Sequence, residues 1–353
     1  MNKKKYKNKI LIIFLRISKW LGFFRLSRFL TRNGLRVLCY HSFSMADEHH
    51  WKPRVFIHPD TLEERLQIIK RGGYKVTKLG SAVERLYKKQ PRTLGLVITI
   101  DDGWHATKSI GHEMFSKFGY PYTVYVTSYY CQKETPIFEM LVKYLFWKTD
   151  IKQISSKQLA GLNISGDHNR LDAMVELTDD LMAAIIRHGD INLNNQQRYA
   201  LAKQLGEILG LDVDNLAEKR MLSLLTKDEI KALSNSGVDI QLHTHRHRWP
   251  MQAEPAIKEL NQNREFLEPI VEKELNHFCY PNGDWHPEQV QFLKSAGVKS
   301  ATTCTPGLNF PQTSRYELMR FVDGEDVDPI IFESYIAGFT ELLMKAFAIV
   351  KFR

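Results

Sequence analysis

The feature that most constrains the fold of this chain is a repeated order of amphipathic helix, glycine and apolar strand. In HPDTLEERLQIIKRGGYKVTKL, a helix should begin at Asp60 or Thr61 and end at a glycine pair before a strand. The same order returns over residues 110–127, 226–245 and 286–305. Helices that alternate with buried strands indicate a mostly parallel sheet with crossover helices, and this many units predicts an α/β barrel. Chemistry in such folds takes place at the carboxyl ends of the strands.

Two segments depart from this order. The stretch from about 133 to 221 has a helical pattern and many polar side chains, which predicts an inserted helical subdomain or lid. Residues 328–353 predict a C-terminal apolar helix, which either packs on the barrel or joins the N-terminal segment at a membrane. The barrel domain is therefore expected over residues 36–327.

Basic charge is concentrated at the start of the chain. The net charge is +9, but residues 1–46 hold eleven lysine and arginine residues and no acid, which leaves −2 for the remainder. The basicity therefore belongs to an N-terminal arm, residues 1–35, and does not indicate a nucleic-acid-binding body. The apolar run from Ile10 to Leu15 is too short to span a bilayer, and no small-residue cleavage site follows it.

The arm and the cysteines together predict a cellular location. The arm mixes aromatic and aliphatic residues with cations, which favours a basic amphipathic helix on an anionic membrane surface; a helix packed on the domain with its lysines in solvent is the alternative. Cys39, Cys131, Cys279 and Cys304 form no CxxC pair, which argues against a zinc ribbon or a disulfide scaffold and favours a reducing compartment. We therefore expect an uncleaved cytoplasmic protein, peripheral to the inner face of the membrane.

Two clusters of chemically active side chains follow predicted strands. HTHRH, residues 243–247, ends one strand, and Asp101 and Asp102 end another in TIDDGW. Two histidines four positions apart can converge on one ion, but a catalytic site of the zinc type usually needs three protein ligands. The two carboxylates are the nearest candidates for the third ligand, although an acid pair after a strand can also cap a helix.

Three motifs, in this order, resemble those of one enzyme family. Thr99–Gly103 resembles TFDDG, His243–His247 resembles H-[ST]-x-x-H, and Phe278–Gly283 resembles FxYPxG, the motifs of the polysaccharide deacetylases with a NodB-homology domain, carbohydrate esterase family 4. Leu38–His41 further resembles the first strand of the poly-N-acetylglucosamine deacetylase branch. Over residues 36–327 the resemblance implies a distorted (β/α) barrel of about seven strands.

The resemblance implies a divalent metal site with a base beside it. Asp102, His243 and His247 would bind the ion, whereas His245 would not. Histidine and carboxylate ligands suit zinc, and also cobalt or nickel. Asp101 would act as the general base that takes a proton from the attacking water.

The resemblance also implies an oxyanion donor and a general acid. The backbone N–H of Asn282, in the tight YPNG turn, would stabilise the oxyanion. His41 would protonate the leaving amine, because no late Leu-x-His motif is present. Histidine ordinarily changes charge near neutral pH, which suits a proton donor. The alternative for His41 is a histidine that only hydrogen-bonds a neighbouring loop.

The chain departs from the family pattern near the base. The larger branch of the family has an arginine at the position of Cys279, and that arginine orients the base. Arg320, in LMRFVDG, could take over this role, or it could have a plain surface or salt-bridge role. With Tyr280 and Trp104 it is assigned to the substrate-binding residues, although a large aromatic side chain at a strand end is often part of the core.

These residues predict a metal-dependent hydrolase that removes N-acetyl groups from an amino-sugar polysaccharide or its lipid-linked precursor. A catalytically inactive deacetylase-like scaffold that binds a glycan or a membrane is the alternative, but it would not need an acid beside the metal ligands. A glycosidase is disfavoured, because its carboxylates lie roughly 5 to 9.5 Å apart across the scissile bond rather than on adjacent residues. The expected partners are an N-acetylated glycan and a membrane surface, without nucleic acid.

Overall fold

The structure, a computed structural model, describes three stretches of the chain, residues 3–88, 95–162 and 173–351. Its strands are β1 (Leu35–Tyr40), β2 (Ser42–Phe43), β3 (Phe56–Ile57), β4 (Lys75–Val76), β5 (Gly95–Ile100), β6 (Thr123–Val126), β7 (Gln153–Ser155), β8 (Met174–Glu176), β9 (Asp239–Leu242), β10 (His277–Cys279), β11 (Ser300–Thr302) and β12 (Phe321–Val322). Its α-helices are α1 (Lys3–Trp20), α2 (Phe23–Leu30), α3 (Glu48–Trp51), α4 (Pro59–Arg71), α5 (Leu79–Tyr87), α6 (His112–Phe118), α7 (Ser128–Lys133), α8 (Phe138–Lys148), α9 (Ser156–Gly161), α10 (Asp179–Asn192), α11 (Asn195–Ile208), α12 (Val213–Glu218), α13 (Lys227–Asn235), α14 (Ala253–Val271), α15 (Val290–Ser295), α16 (Pro329–Ile336) and α17 (Phe339–Lys351). Short turns of other helix types are Thr107–Gly111, Pro281–Gly283 and Pro287–Gln289.

The chain divides into two compact units. The first consists of Met1–Ser128 with Asp228–Arg353, and the second is Tyr129–Lys227. All of the candidate catalytic, metal-binding and substrate-binding residues belong to the first unit. Its architecture therefore decides how those side chains are positioned.

A parallel sheet forms the centre of the first unit. Its strand order is β11-β10-β9-β6-β5-β1-β12, and β4 pairs with the amino-terminal part of β5. The longest pairing joins β1 to β5, from Leu35 opposite Gly95 to Tyr40 opposite Ile100. Every pairing in this sheet is parallel. The prediction of a distorted (β/α) barrel of about seven strands is confirmed.

The central strands are buried on both faces. All six residues of β1 and the last five of β5 are buried, and their continuous apolar runs suit parallel strands that are covered on both sides. Arg36 is the charged exception in β1. Its guanidinium donates to the carbonyl oxygens of Thr31, Gly34 and Ile336 at 3.0, 2.6 and 2.7 Å. These bonds tie the N-terminal arm and the end of α16 to the start of the barrel.

Helix α4 begins slightly earlier than the sequence pattern predicts. Pro59 is its first residue, where the missing N–H would have had no partner within the helix. The ring nitrogen Nδ1 of His58 accepts a hydrogen bond from the Asp60 backbone N–H at 3.3 Å and so caps the helix. Gly72 ends it, as the glycine pair predicts.

The C-terminal apolar segment forms two helices. Gly338 separates α16 from α17 with a φ of 76°, a conformation that favours glycine. A Cβ at this position would lie 2.1 Å from the Oγ1 atom of Thr31, at the end of α2. The prediction of a single C-terminal helix is therefore wrong, because a contact with the N-terminal arm imposes the break.

The second unit, Tyr129–Lys227, spans the range of the predicted insertion. It is mainly helical, and α8 packs against α10 and α11. The ring of Phe138 lies so close to Gly189 that a Cβ there would be 2.2 Å from it. The unit also contains β7 and β8, an antiparallel pair that the helical pattern did not predict. Part of the predicted insertion, residues 163–172, lies outside the described residues.

Candidate metal centre

The candidate residues follow the carboxyl ends of neighbouring strands. His41 follows β1, Asp101 and Asp102 follow β5, His243 follows β9, and Asn282 lies three residues beyond β10. Because β1 pairs with β5 and β10 pairs with β9, these positions share one edge of the sheet. The structure therefore brings together residues that are widely separated in the sequence.

Three side chains converge at this edge. The Nε2 atoms of His243 and His247 lie 3.2 and 3.4 Å from the Oδ1 atom of Asp102. The two imidazole rings are 4.9 Å apart at an angle of 69°. His243 is buried, whereas the side chain of His247 is 35% exposed, so the cluster opens to solvent on the His247 side. One carboxylate oxygen and two ring nitrogens thus face a common point.

The hydrogen bonds around the cluster leave these three atoms available to a cation. The Nδ1 atom of His243 donates to the Cys279 carbonyl at 2.8 Å, so that in the neutral ring the lone pair is on Nε2. Trp104 Nε1 donates to Asp102 Oδ2 at 2.9 Å, while Oδ1 is buried and has no hydrogen-bond partner. Burial raises the pKa of Asp102, but His243 and His247 lower it by more than burial raises it. The net pKa is below its ordinary value, so this carboxyl group is an anion. A buried, unpartnered anionic oxygen between two imidazoles fits a divalent metal.

The backbone of the cluster is held in an uncommon conformation. Asp102 and His247 have φ values of 70° and 55°, and Thr244, between the histidines, has 66°. Left-handed conformations of this kind cost on the order of 1–3 kcal/mol each in residues other than glycine, and they persist where surrounding contacts impose them. The Oγ1 atom of Thr244 accepts a hydrogen bond from Arg248 N at 3.1 Å, which closes the loop that carries His247.

His245, the middle histidine, points away from the cluster. Its Nδ1 atom lies 2.9 Å from the hydroxyl oxygen of Ser128, and the residue is buried. Asn263 donates to the same hydroxyl at 3.0 Å and accepts from the His243 backbone N–H at 3.0 Å. The geometry therefore separates His243 and His247 from His245 in the way that the family resemblance implies.

Two residues that support this loop were missed by the sequence reasoning. Glu259 and Asn263 lie four positions apart on α14, on the face that meets the loop. The Glu259 carbonyl accepts from His245 N at 3.1 Å, and its carboxylate accepts from Arg246 N at 2.7 Å and from the Arg246 side chain at 2.9 Å. In the sequence, these residues could have been recognised as two polar side chains on the apolar face of an amphipathic helix, which indicates that they bind a buried partner.

Asp101 forms a buried ion pair with Arg320. The guanidinium donates to both carboxylate oxygens at 2.7 and 2.8 Å, and the two residues are 0% and 2% exposed. Burial raises the pKa of Asp101, but Arg320 lowers it more, and the net pKa lies well below its ordinary value. The sulfur atoms of Cys39 and Cys279 each lie 3.4 Å from Oδ2. Asp101 is thus an ionised carboxylate that is almost entirely buried.

The assignment of Arg320 to substrate binding is wrong, because the side chain has no exposed surface. Besides Asp101, it donates to the carbonyl of Thr303 at 2.8 Å and to the hydroxyl of Thr99 at 3.1 Å. The alternative of a plain surface role is also wrong, because Arg320 is buried, whereas the alternative of a salt bridge is confirmed by its pairing with Asp101. The contacts are those of a residue that orients Asp101.

Tyr280 and Trp104 also belong to the core rather than to a sugar-binding wall. Tyr280 is fully buried, and its hydroxyl donates to the Tyr316 carbonyl at 3.1 Å. Trp104 is 4% exposed, lies 5.5 Å from the ring of Phe56, and uses its N–H to hold Asp102. The substrate-binding predictions for both residues are wrong, because neither side chain can reach a ligand in solvent.

His41 and Asn282 lie at the same edge of the sheet, and His41 is half-buried. A ring nitrogen of His41 lies within 4.8 Å of a carboxylate oxygen of Asp101, and its Nδ1 atom is buried without a hydrogen-bond partner. Asn282 is exposed and has a φ of 57°. The next residue, Gly283, packs so closely that a Cβ would lie 2.6 Å from Cys304 Cβ. The roles of acid and oxyanion donor stay predictions.

The family model for polysaccharide deacetylase matches residues 197–301 of the chain. This range contains the HTHRH motif and the YPNG turn, whereas the TIDDGW motif lies before the unit Tyr129–Lys227. No curated protein sequence matches the chain.

Several solved structures share the fold at low sequence identity. The Streptococcus pyogenes deacetylase PplD in complex with acetate has a TM-score of 0.56 at 14% identity, with 86% of this chain and 98% of that chain covered. IcaB from Ammonifex degensii has a TM-score of 0.52 at 15% identity, with 86% and 96% covered. A de-N-acetylase from Aggregatibacter actinomycetemcomitans has a TM-score of 0.52 at 12% identity, with 86% and 99% covered. At these identities the likeness shows a common fold.

The fold and the site define an α/β barrel with a cluster of one carboxylate and two imidazoles at the carboxyl edge of its sheet. This cluster is one that could hold a metal ion. Residues 197–301 match the polysaccharide deacetylase family, and the chain shares its fold with deacetylases of known structure, in agreement with the family resemblance of its motifs.

Proposed function

We propose that the protein is a metal-dependent deacetylase that removes N-acetyl groups from an amino-sugar glycan. The observation that carries the proposal is the unpartnered Oδ1 atom of Asp102 between the Nε2 atoms of His243 and His247, with the ionised Asp101 beside it. These three ligands would hold zinc, with cobalt or nickel as alternatives. The ion would polarise the amide carbonyl and make a water more acidic.

The residues of the chain would divide the proton transfers between them. The oxygen of a water adds to the amide carbonyl carbon while Asp101 accepts a proton from that water. The carbon–nitrogen bond then breaks as the nitrogen takes a proton from His41, which gives a free amine and acetate. Arg320 keeps the Asp101 carboxylate ionised and fixes its orientation. The backbone N–H of Asn282 would stabilise the negative charge on the carbonyl oxygen.

The proposed substrate is an N-acetylated polysaccharide or its lipid-linked precursor, in a cytoplasmic setting. The de-N-acetylase among the similar folds supports an N-acetyl group rather than an ester. The four cysteines are unpaired, and three of them are buried, which suits a reducing compartment.

The test is acetate release from a panel of N-acetylated glycans by metal-loaded protein, with chelated protein as the control. Asp101→Asn should keep the metal but lose stability, because it leaves the buried Arg320 guanidinium without its counter-ion, and folded protein should show a rate lowered by about 10² to 10⁴, the range for a lost general base. If metal-loaded protein releases no acetate from any glycan, the inactive scaffold becomes the better reading. If Asp101→Asn loses metal while Asp102→Asn keeps it, the two carboxylates have the opposite roles.

A further inference from the structure

The two N-terminal helices have apolar side chains on their outer surface. An ordinary surface helix turns its apolar stripe to the core and its polar side chains to water. In α1 and α2 the inward positions include the small polar residues Ser18 and Ser27, which are buried. The outward positions carry large exposed hydrophobic side chains: Ile10, Leu11, Ile13, Phe14, Ile17, Trp20, Leu21, Phe23, Leu26, Phe29 and Leu30. An apolar surface of this extent indicates a binding partner.

The arm is anchored on the first unit, so this surface is a fixed feature of it. Leu15 and Phe24 pack in a buried cluster with Ile330, Ala337 and Phe339. The anchoring is completed by ion pairs with α16 and the residue before it. The Lys19 ammonium lies 2.6 Å from a Glu333 carboxylate oxygen, and Arg16 lies 4.0 Å from Asp328. The buried stripe therefore holds the helices in place while the apolar side chains remain outside.

The charges of the arm favour a lipid surface as the occupant. Lys9, Arg25 and Arg32 are exposed among the apolar side chains, and the first acidic residue of the chain is Asp47. Trp20 is 84% exposed at the end of α1, and tryptophan favours the boundary between headgroups and acyl chains. None of the described helices is long and apolar enough to cross a bilayer. Apolar and basic side chains on helices that do not cross are typical of segments lying in the membrane interface.

We propose that α1 and α2 form a docking surface for an anionic lipid bilayer. The exposed apolar side chains enter the headgroup boundary, and the basic side chains contact lipid phosphates. A second copy of this chain or another protein is a different occupant, which the test below separates from lipid.

The docking surface lies away from the candidate metal centre. Arg28 of α2 donates to the carbonyl of Gly73, in the turn that leads into β4, and Arg36 at the start of β1 holds the end of the arm. Strand β1 then runs to Tyr40, beside His41, so Arg36 and His41 are separated along the strand by about 17 Å, at 3.3 Å per residue. Docking of the arm does not depend on the proposed deacetylase activity.

The first test uses the full chain and vesicles of phosphatidylcholine with or without phosphatidylglycerol. The wild-type protein should sediment with the mixed vesicles, and Leu26→Glu combined with Phe29→Glu should weaken this by about tenfold or more. Both positions are exposed, so the melting temperature should stay the same. Ile191→Glu is the matched control, because Ile191 is also an exposed hydrophobic residue but belongs to the other unit.

The second test removes charge. Arg25→Gln combined with Arg32→Gln should weaken binding to the mixed vesicles about 25-fold, or about fivefold per charge, and leave the weaker binding to pure phosphatidylcholine unchanged. The proposal is overturned if the wild-type protein does not sediment with the mixed vesicles. It is also overturned if the variant with Leu26→Glu and Phe29→Glu binds these vesicles as strongly as the wild type does, or if that variant instead abolishes a concentration-dependent dimer. Sedimentation decides the matter even if no variant and no wild-type sample releases acetate.

Discussion

Replacing Arg320 by methionine should both destabilise the protein and change its pH dependence. Methionine keeps an unbranched apolar side chain but removes both hydrogen bonds to Asp101, which are 2.7 and 2.8 Å long. The two residues are 0% and 2% exposed, so water cannot replace the lost partner. Breaking one side of a buried ion pair costs about 3–5 kcal/mol. For a unit of this size we expect the melting temperature to fall by about 10 °C.

The effect on pH follows from the opposing influences on Asp101. In the wild type, Arg320 outweighs burial and lowers the pKa of Asp101, so its contribution to stability is present above the pKa of the unfolded chain and lost only in strong acid. Without Arg320, only the smaller influences of His243 and His41 oppose burial, so the pKa of Asp101 rises. The contribution of Asp101 to stability then has the opposite pH dependence. It is most favourable in acid, and it is lost as the pH rises through the raised pKa. Acetate release, which needs the ionised carboxylate, should therefore move to higher pH.

The assay is acetate release by metal-loaded protein across the pH range, with thermal melting of the same samples. Arg65→Met is the matched control. Arg65 is also buried and lies 3.1 Å from the carboxylate of Asp323, a group whose pKa burial raises to about 6. This variant should lose similar stability but keep the pH profile of the wild type. The reasoning is refuted if Arg320→Met keeps the wild-type profile, or if Arg65→Met shifts it equally.

Three further predictions concern the residues around the cluster. His243→Ala and His247→Ala should each abolish metal binding, while His245→Ala should keep one divalent ion, by elemental analysis; metal retained by His247→Ala contradicts the ligand assignment. His41→Ala should leave metal content and melting temperature nearly intact but lower kcat on an N-acetyl substrate by about 10² or more, with a smaller loss on an O-acetyl ester. Equal losses on both would exclude His41 as the acid. Trp104→Phe removes the 2.9 Å hydrogen bond to the Asp102 carboxylate and should weaken metal affinity by about 10- to 100-fold in a chelator competition. An unchanged affinity would show that this bond does not position the ligand.

Local sequence patterns were sufficient to predict the barrel and the edge where the candidate site lies. The apolar runs of β1 and β5, and the glycines that end the helices, are properties of neighbouring residues and can be recognised without any long-range contact. Because parallel strands share a carboxyl edge, the same patterns also predicted that the acid pair Asp101 and Asp102 lies near His243 and His247, while the choice of Asp102 as the ligand came from the family resemblance. The structure places their ligand atoms within 4.8 Å of one another. Their binding of a metal stays a prediction.

The environment of each side chain was decided by tertiary contacts. Arg320 is 219 positions from Asp101, and no local pattern shows that the two meet in the core. A charged side chain is buried only where an opposite charge or a set of hydrogen bonds compensates it. Because the sequence does not show such partners for Arg320, it could not distinguish a buried role from a surface or substrate-binding role. Tyr280 is similar, since its burial depends on residues from other parts of the chain, such as Trp249.

In the N-terminal arm, too, some properties follow from the sequence alone and others depend on tertiary contacts. The sequence by itself shows that the arm is basic and rich in apolar side chains, and its pattern favours an amphipathic helix. Which face points outward depends on the contact with α16, where Lys19 meets Glu333 across 314 positions. Because the core provides partners for Leu15 and Phe24, the small polar residues beside them are buried as well, and the remaining aromatic and aliphatic side chains are left outside. A helix cannot bury every face at once, so only the packing of the whole domain decides which apolar residues remain exposed.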